Sequence, residues 1–191
     1  MKAIASALKA RADNLAAFAW GVAEASVFFI VPDVLLSYIG VKRGPRAAGV
    51  ASLWAACGAA LGGVGMYLWA QSDPDAARAF VLAVPAISLA MAEAAARAMA
   101  EQGWFPATLS GPLSRTPYKV YAILAPAADA PLWAFAAASV IARLPRFLLV
   151  GAGAALIARF LQPRLGAKAI LAIFVTAWLL FYAAFFALTP G

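Results

Sequence analysis

The chain has 191 residues, 65% of them hydrophobic and 12% charged, with a mean hydropathy of +0.87. That balance excludes an ordinary soluble domain and reads as one all-α membrane domain. The net charge of +7 sits in basic clusters beside apolar segments, so it reads as topology signal and lipid-headgroup contact and argues against a nucleic-acid face. The absence of histidine removes the commonest metal ligand and general base, and no metal or cofactor is expected. Cys57 is the single cysteine, which excludes an intrachain disulfide, and its apolar surroundings predict inert packing.

In chain order, residues 1–13 lack the shape of a signal peptide and predict a short basic amphipathic helix on the membrane surface. Residues 14–41 are apolar yet carry Glu24, Pro32 and Asp33. They span about 28 residues, where one crossing needs about 20 and two need about 40. Lys2, Lys9 and Arg11 precede the segment and Lys42, Arg43 and Arg46 follow it, so both flanks favour the cytoplasmic side. A re-entrant hairpin turning near Val31-Pro32-Asp33 satisfies length and charge together, proline having no N–H to leave unpaired. One long tilted helix kinked at Pro32 is the competing reading, and it strands one basic cluster on the wrong side.

Residues 47–72 are free of charge and long enough to cross. Gly58, Gly62 and Gly65 predict close approach of another helix, and Tyr67 and Trp69 predict an interfacial end. Ser72-Asp73-Pro74-Asp75 reads as a turn and a helix start, with Ser72 or Asp73 as the cap. Residues 75–102, with Glu93, Arg97 and Glu101 on one face, predict an interfacial helix, a tilted crossing being the alternative. Residues 104–130 form a second interrupted apolar segment, broken by Pro106, Gly111-Pro112, Pro117 and Pro126 and carrying Arg115, Lys119 and Asp129. Interrupted segments in corresponding halves are a sequence pointer to a transport site. Residues 131–159, with Arg143, Pro145 and Arg146 near the centre, predict a crossing inward, and residues 169–188 a crossing back. The basic clusters at 2–11, 42–46 and 159–168 then share the cytoplasmic side with the N-terminus.

The intramembrane charges define the candidate site. Glu24, Asp33 and Asp129 stand against Arg115, Lys119, Arg143 and Arg146, leaving one positive charge that a phosphate headgroup balances. Arginine holds phosphate oxygens through a planar fork. Arg143 and Arg146 lie three apart on one helix face, one expected to meet an acid and the other to remain for phosphate. Glu24, away from water, is the candidate proton carrier.

Four stretches resemble the DedA family, also called the VTT or SNARE-associated family, in its YqaA-like branch. AEASVFFIVPDVLL (23–36) is similar to the acidic re-entrant motif and GAALGGVGMYLWA (58–70) to the glycine-repeat helix. TPYKVYAILA (116–125) resembles the branch's proline-tyrosine-lysine motif, and SVIARLPRFLLVG (139–151) its late arginine motif. The resemblance implies two re-entrant hairpins in inverted repeat, joined here by about three transmembrane helices and surface amphipathic helices, in the bacterial inner membrane. It also implies transport of a phospholipid or polyprenyl phosphate, with protons as the coupling species. The chain departs from the family pattern in the tight Arg115-Thr116-Pro117-Tyr118-Lys119 spacing and in Ala125-Pro126 followed by Asp129, where a glycine is expected.

The expectation is therefore a flippase- or scramblase-like transporter for a lipid with an anionic phosphate headgroup. The alternative is a non-transporting assembly or scaffold protein whose intramembrane charges are structural. An enzyme is not expected, because histidine, a GxSxG motif and a metal-binding aspartate cluster are all missing. Oligomeric state stays open.

Overall fold

The computed structural model describes residues 2–114 and 116–188, and these are helical with no strand among them. Arg115, counted among the candidate site residues, lies outside the described residues. α1 (Lys2–Ser26) is one helix of 25 residues. It runs through the boundary expected at residue 13, because neither glycine nor proline occurs between Lys2 and Trp20 to stop it. It ends where the Ser26 hydroxyl turns back on the Val22 carbonyl at 2.7 Å and the Phe28 N–H closes on the Ala23 carbonyl at 2.7 Å. Residues 27–32 are irregular up to Pro32, and α2 (Asp33–Arg43) then reverses direction. The reversal is fixed by an ion pair between Arg43 and Asp13, which joins the two ends of the unit and excludes a single helix kinked at Pro32.

Gly44, at φ +86°, turns the chain into α3 (Pro45–Ser72). α3 runs alongside α1 with backbones in contact: a Cβ on Gly58 would overlap the Phe18 carbonyl, one on Gly21 the Ala55 carbonyl, and one on Gly62 the Val22 carbonyl. The glycines therefore act as packing surface. Gly65, grouped with them in the sequence, faces open space, and Cys57 lies exposed instead of packed. Tyr67 is buried against the rest of the protein. Its hydroxyl donates to the Ala130 carbonyl at 2.7 Å, tying the end of α3 to the approach of the last helix.

Residues 75–102 are two helices where one was expected. Asp73 caps α4 (Pro74–Ala83) by accepting from the Ala76 N–H at 3.0 Å. Val84 is forced extended by Pro85 after it, since a proline clashes with a preceding helical residue. Ala86 completes the elbow at φ +66°, and Ser88 caps α5 (Leu89–Gln102). Glu93 and Arg97 make an exposed i, i+4 contact at 4.0 Å. A second helix–break–helix unit follows: α6 (Trp104–Ser110), a 3-10 turn at Gly111–Leu113, and α7 (Tyr118–Leu124). A further 3-10 turn, Pro126–Ala128, leads to Asp129, which sits exposed in a left-handed turn at φ +54°.

α8 (Leu132–Leu188) has 57 residues and would measure about 86 Å if straight, far beyond a membrane core of about 30 Å. Neither Pro145 nor Pro163 breaks it, but Gly166, at φ +75°, does. The two arms fold back on α2 and the break before it. On the first arm Arg146 meets Asp33 and Gly151 meets Gly40; on the second, Phe186 meets Phe29, Trp178 meets Ser37, and Phe174 meets Tyr38. The first arm thus runs with α2 and the second against it. Among the described residues, α3 and α8 are the helices long and apolar enough to cross a membrane. One apolar cluster joins α1, α2 and α3 to Phe147, and a second joins the far end of α3 to α4, α5, α7 and Phe135.

Candidate functional site

The two breaks, 27–32 and the described residues 111–114 and 116–117, face each other across a cavity of about 530 Å³. Glu24, Lys119, Arg143 and Arg146 line it, together with the Val84–Ile87 elbow and the aromatic stretch Phe181–Phe185. Broken backbone at such a place exposes peptide groups that need partners. The first break has them. The Trp20 indole donates to the Ile30 carbonyl at 2.9 Å, the Lys119 ammonium donates to the Phe28 carbonyl at 2.7 Å, and the Val31 N–H donates to the Tyr182 hydroxyl at 3.0 Å.

Glu24 ends α1 on its buried face and pairs with Arg143 from α8. Both side chains are under a tenth exposed. The guanidinium lies between two rings, 4.7 Å from the Tyr118 centroid and 5.2 Å from that of Phe147, so it is held by charge and by cation–π contact. Its Nε has no partner among the described residues. Tyr118 is locked in turn: its ring stacks on Phe135 at 5.9 Å, its hydroxyl bonds the Ser139 hydroxyl, and it fills the space that a side chain at Gly63 would take.

Asp33 opens α2 and is 1% exposed, and it pairs with Arg146. The Arg146 side chain is 43% exposed, and Asp33 Oδ1 has no partner among the described residues. The two arginines share a helix face, yet they differ. Arg143 is buried between aromatics, whereas Arg146 opens to the cavity. Each carries an acid, which corrects the expectation that one guanidinium stays unmatched.

Among the described residues of the site, the cation without an acid is Lys119. It is 1% exposed, and its one hydrogen bond among the described residues goes to a neutral carbonyl. Lysine has three N–H donors, so donor capacity remains beside the cavity. With these groups ionised, Lys119, Arg143 and Arg146 against Glu24 and Asp33 leave one positive charge. Asp129, counted in the set from sequence, is exposed in its turn and absent from the cavity wall.

Sequence reasoning missed Tyr182 and the Val84–Ile87 elbow. The signal for Tyr182 was available: it is the one hydroxyl in the run Trp178–Phe186, and a buried tyrosine hydroxyl needs a partner. The elbow had Pro85 as its signal. No group of carboxylates and cysteine able to hold a metal occurs among the described residues. Comparison with family profiles, with curated proteins and with solved structures finds no match to this chain.

Proposed function

We infer that the protein is a DedA-like membrane transporter, of flippase or scramblase type, for a lipid with an anionic phosphate headgroup. In this reading the two helix–break–helix units are re-entrant hairpins in inverted repeat and the basic clusters face the cytoplasm. The observation that carries it is a cavity of about 530 Å³ where, among the described residues, three cations (Lys119, Arg143, Arg146) face two acids (Glu24, Asp33) and the other wall is aromatic and apolar. That volume falls in the range of small-molecule sites, about 300–1,000 Å³. A phosphate supplies the missing negative charge, and its chain meets Phe181, Phe185 and Leu188. Arg146 is the arginine placed to offer phosphate its planar fork, and Arg143 holds the frame. If protons drive transport, Glu24 has to leave Arg143 to accept one, and Glu24→Gln then removes the pH dependence of transport.

One observation favours a second reading, a non-transporting assembly protein. Both arginines are paired with acids that join α1 and α2 to α8, which is what structural charges do. Reconstitution in liposomes separates the readings. Movement of a fluorescent phosphatidic acid between leaflets is the expected result. Liposomes in which that lipid stays in its original leaflet, with correctly folded protein present, favour the assembly reading.

A further inference from the structure

The Lys119 hydrogen bond lies inside the candidate site, yet its partner belongs to the opposite break. Its acceptor, the Phe28 carbonyl, sits in the irregular stretch between α1 and α2, where no helical hydrogen bond competes for it. The same stretch is held from the other side by Tyr182, through the Val31 N–H. Thus, beside the local Trp20 bond to Ile30, α7 and the second arm of α8 clamp one short strip of backbone from two directions, and both of these clamping side chains line the cavity. The two bonds differ in what an anion does to them. Tyr182 accepts from the Val31 N–H and keeps its own O–H free to donate, so it can meet a phosphate without giving up that bond. Lys119 donates from a cation to a neutral carbonyl, and a phosphate oxygen is the stronger partner for the ammonium as a whole.

We propose that Lys119 is a displaceable latch: a phosphate group in the cavity takes its ammonium from the Phe28 carbonyl, and the first break is released. This rests on the phosphate reading above and adds to it the link between binding and motion. The freed carbonyl sits in a backbone that glycine packing does not hold, since the α1–α3 contact lies further back, at Phe18, Gly21 and Val22. Release therefore loosens residues 27–32 and leaves the helices in place. Occupancy of the site by headgroup, whether from a lipid or from free phosphate, is transmitted to the opposite hairpin through a single side chain.

The test is amide hydrogen exchange across residues 27–33 in nanodiscs, with retained lipid counted by native mass spectrometry. Wild type is measured in phosphatidylcholine alone, with phosphatidic acid added, and with inorganic phosphate added. Phosphatidic acid should bind and raise exchange in 27–33 severalfold. In Lys119→Met, which keeps the stem and removes the donors, exchange should already be high in phosphatidylcholine and should not respond further. Tyr182→Phe should raise the baseline but keep the response. Release by inorganic phosphate alone also supports the latch and assigns it to the free anion instead of the lipid. Phosphatidic acid that binds wild type with exchange unchanged overturns the latch and leaves the phosphate reading standing. Absence of both binding and response overturns the two together. The wild-type arms decide the matter even if Lys119→Met does not fold.

Discussion

The seam between α1 and α3 and the second arm of α8 are both helical contacts in an apolar protein, but they are built differently. At the seam, glycines bring backbone against backbone, and Ala17, Ala25, Ala51, Ala55 and Ala59 are fully buried around them. The arm beyond Gly166 packs large apolar side chains that stay largely exposed, among them Leu179, Leu180 and Phe181, and its side-chain hydrogen bonds to the rest, among the described residues, are those of Trp178 and Tyr182. Close backbone packing has one solution and resists change, whereas side chains resting on a surface can shift with little rearrangement. The difference separates a frame, which positions Glu24 at the end of α1, from a cover that lies over the cavity.

Breaking the seam should have the largest effect. Gly58→Leu places a side chain on the Phe18 carbonyl, which belongs to a helix and cannot retreat, so a loss above about 3 kcal/mol is expected. Thermal unfolding in detergent measures it, and a variant with wild-type stability would mean that the seam is not the frame. Arg143→Ala comes next, at about 3–5 kcal/mol, because it strands buried Glu24. Arg146→Ala should cost less, about 1–3 kcal/mol, since the vacated space opens Asp33 to the cavity. Its partner experiment is sharper: Arg146→Lys should fold normally and lose most lipid transport, because lysine keeps the charge and lacks the fork. Equal losses of folding and transport at Arg146 would move it into the frame with Arg143. Tyr182→Phe should be the mildest, within about 1 kcal/mol of wild type by thermal unfolding, since it removes one hydrogen bond from the cover.

Much of the helical content was legible in composition, and the reversal near Pro32 was legible because a proline and two flanking basic clusters constrained it from both sides. The spacing of Arg143 and Arg146 placed them on one face. It could not say which acid each would meet, because that depends on how α8 is rotated against α1 and α2. Lys119 was identified as a charge, but its reach to Phe28 spans distant sequence and leaves no local pattern. The elbow at Val84 had its cause in plain view in Pro85; an alanine-rich helical run on both sides outweighed it. The reversal at Gly166 was expected only as a loop between two crossings, and nothing in the pattern laid the second arm across a cavity. Asp129 misled for a related reason: an apolar neighbourhood in sequence does not bury a residue that sits in a left-handed turn.

The position of the arm in the chain has a consequence for how the protein is made. Residues 167–188 leave the ribosome after every other described element, so both ion pairs and the seam can form before the cover exists. During that interval the cavity stands open along the side the arm later occupies. On the lipid reading proposed above, a lipid can be enclosed during biosynthesis without any gate having to move, and the cavity would hold its first occupant from the moment the arm folds over it.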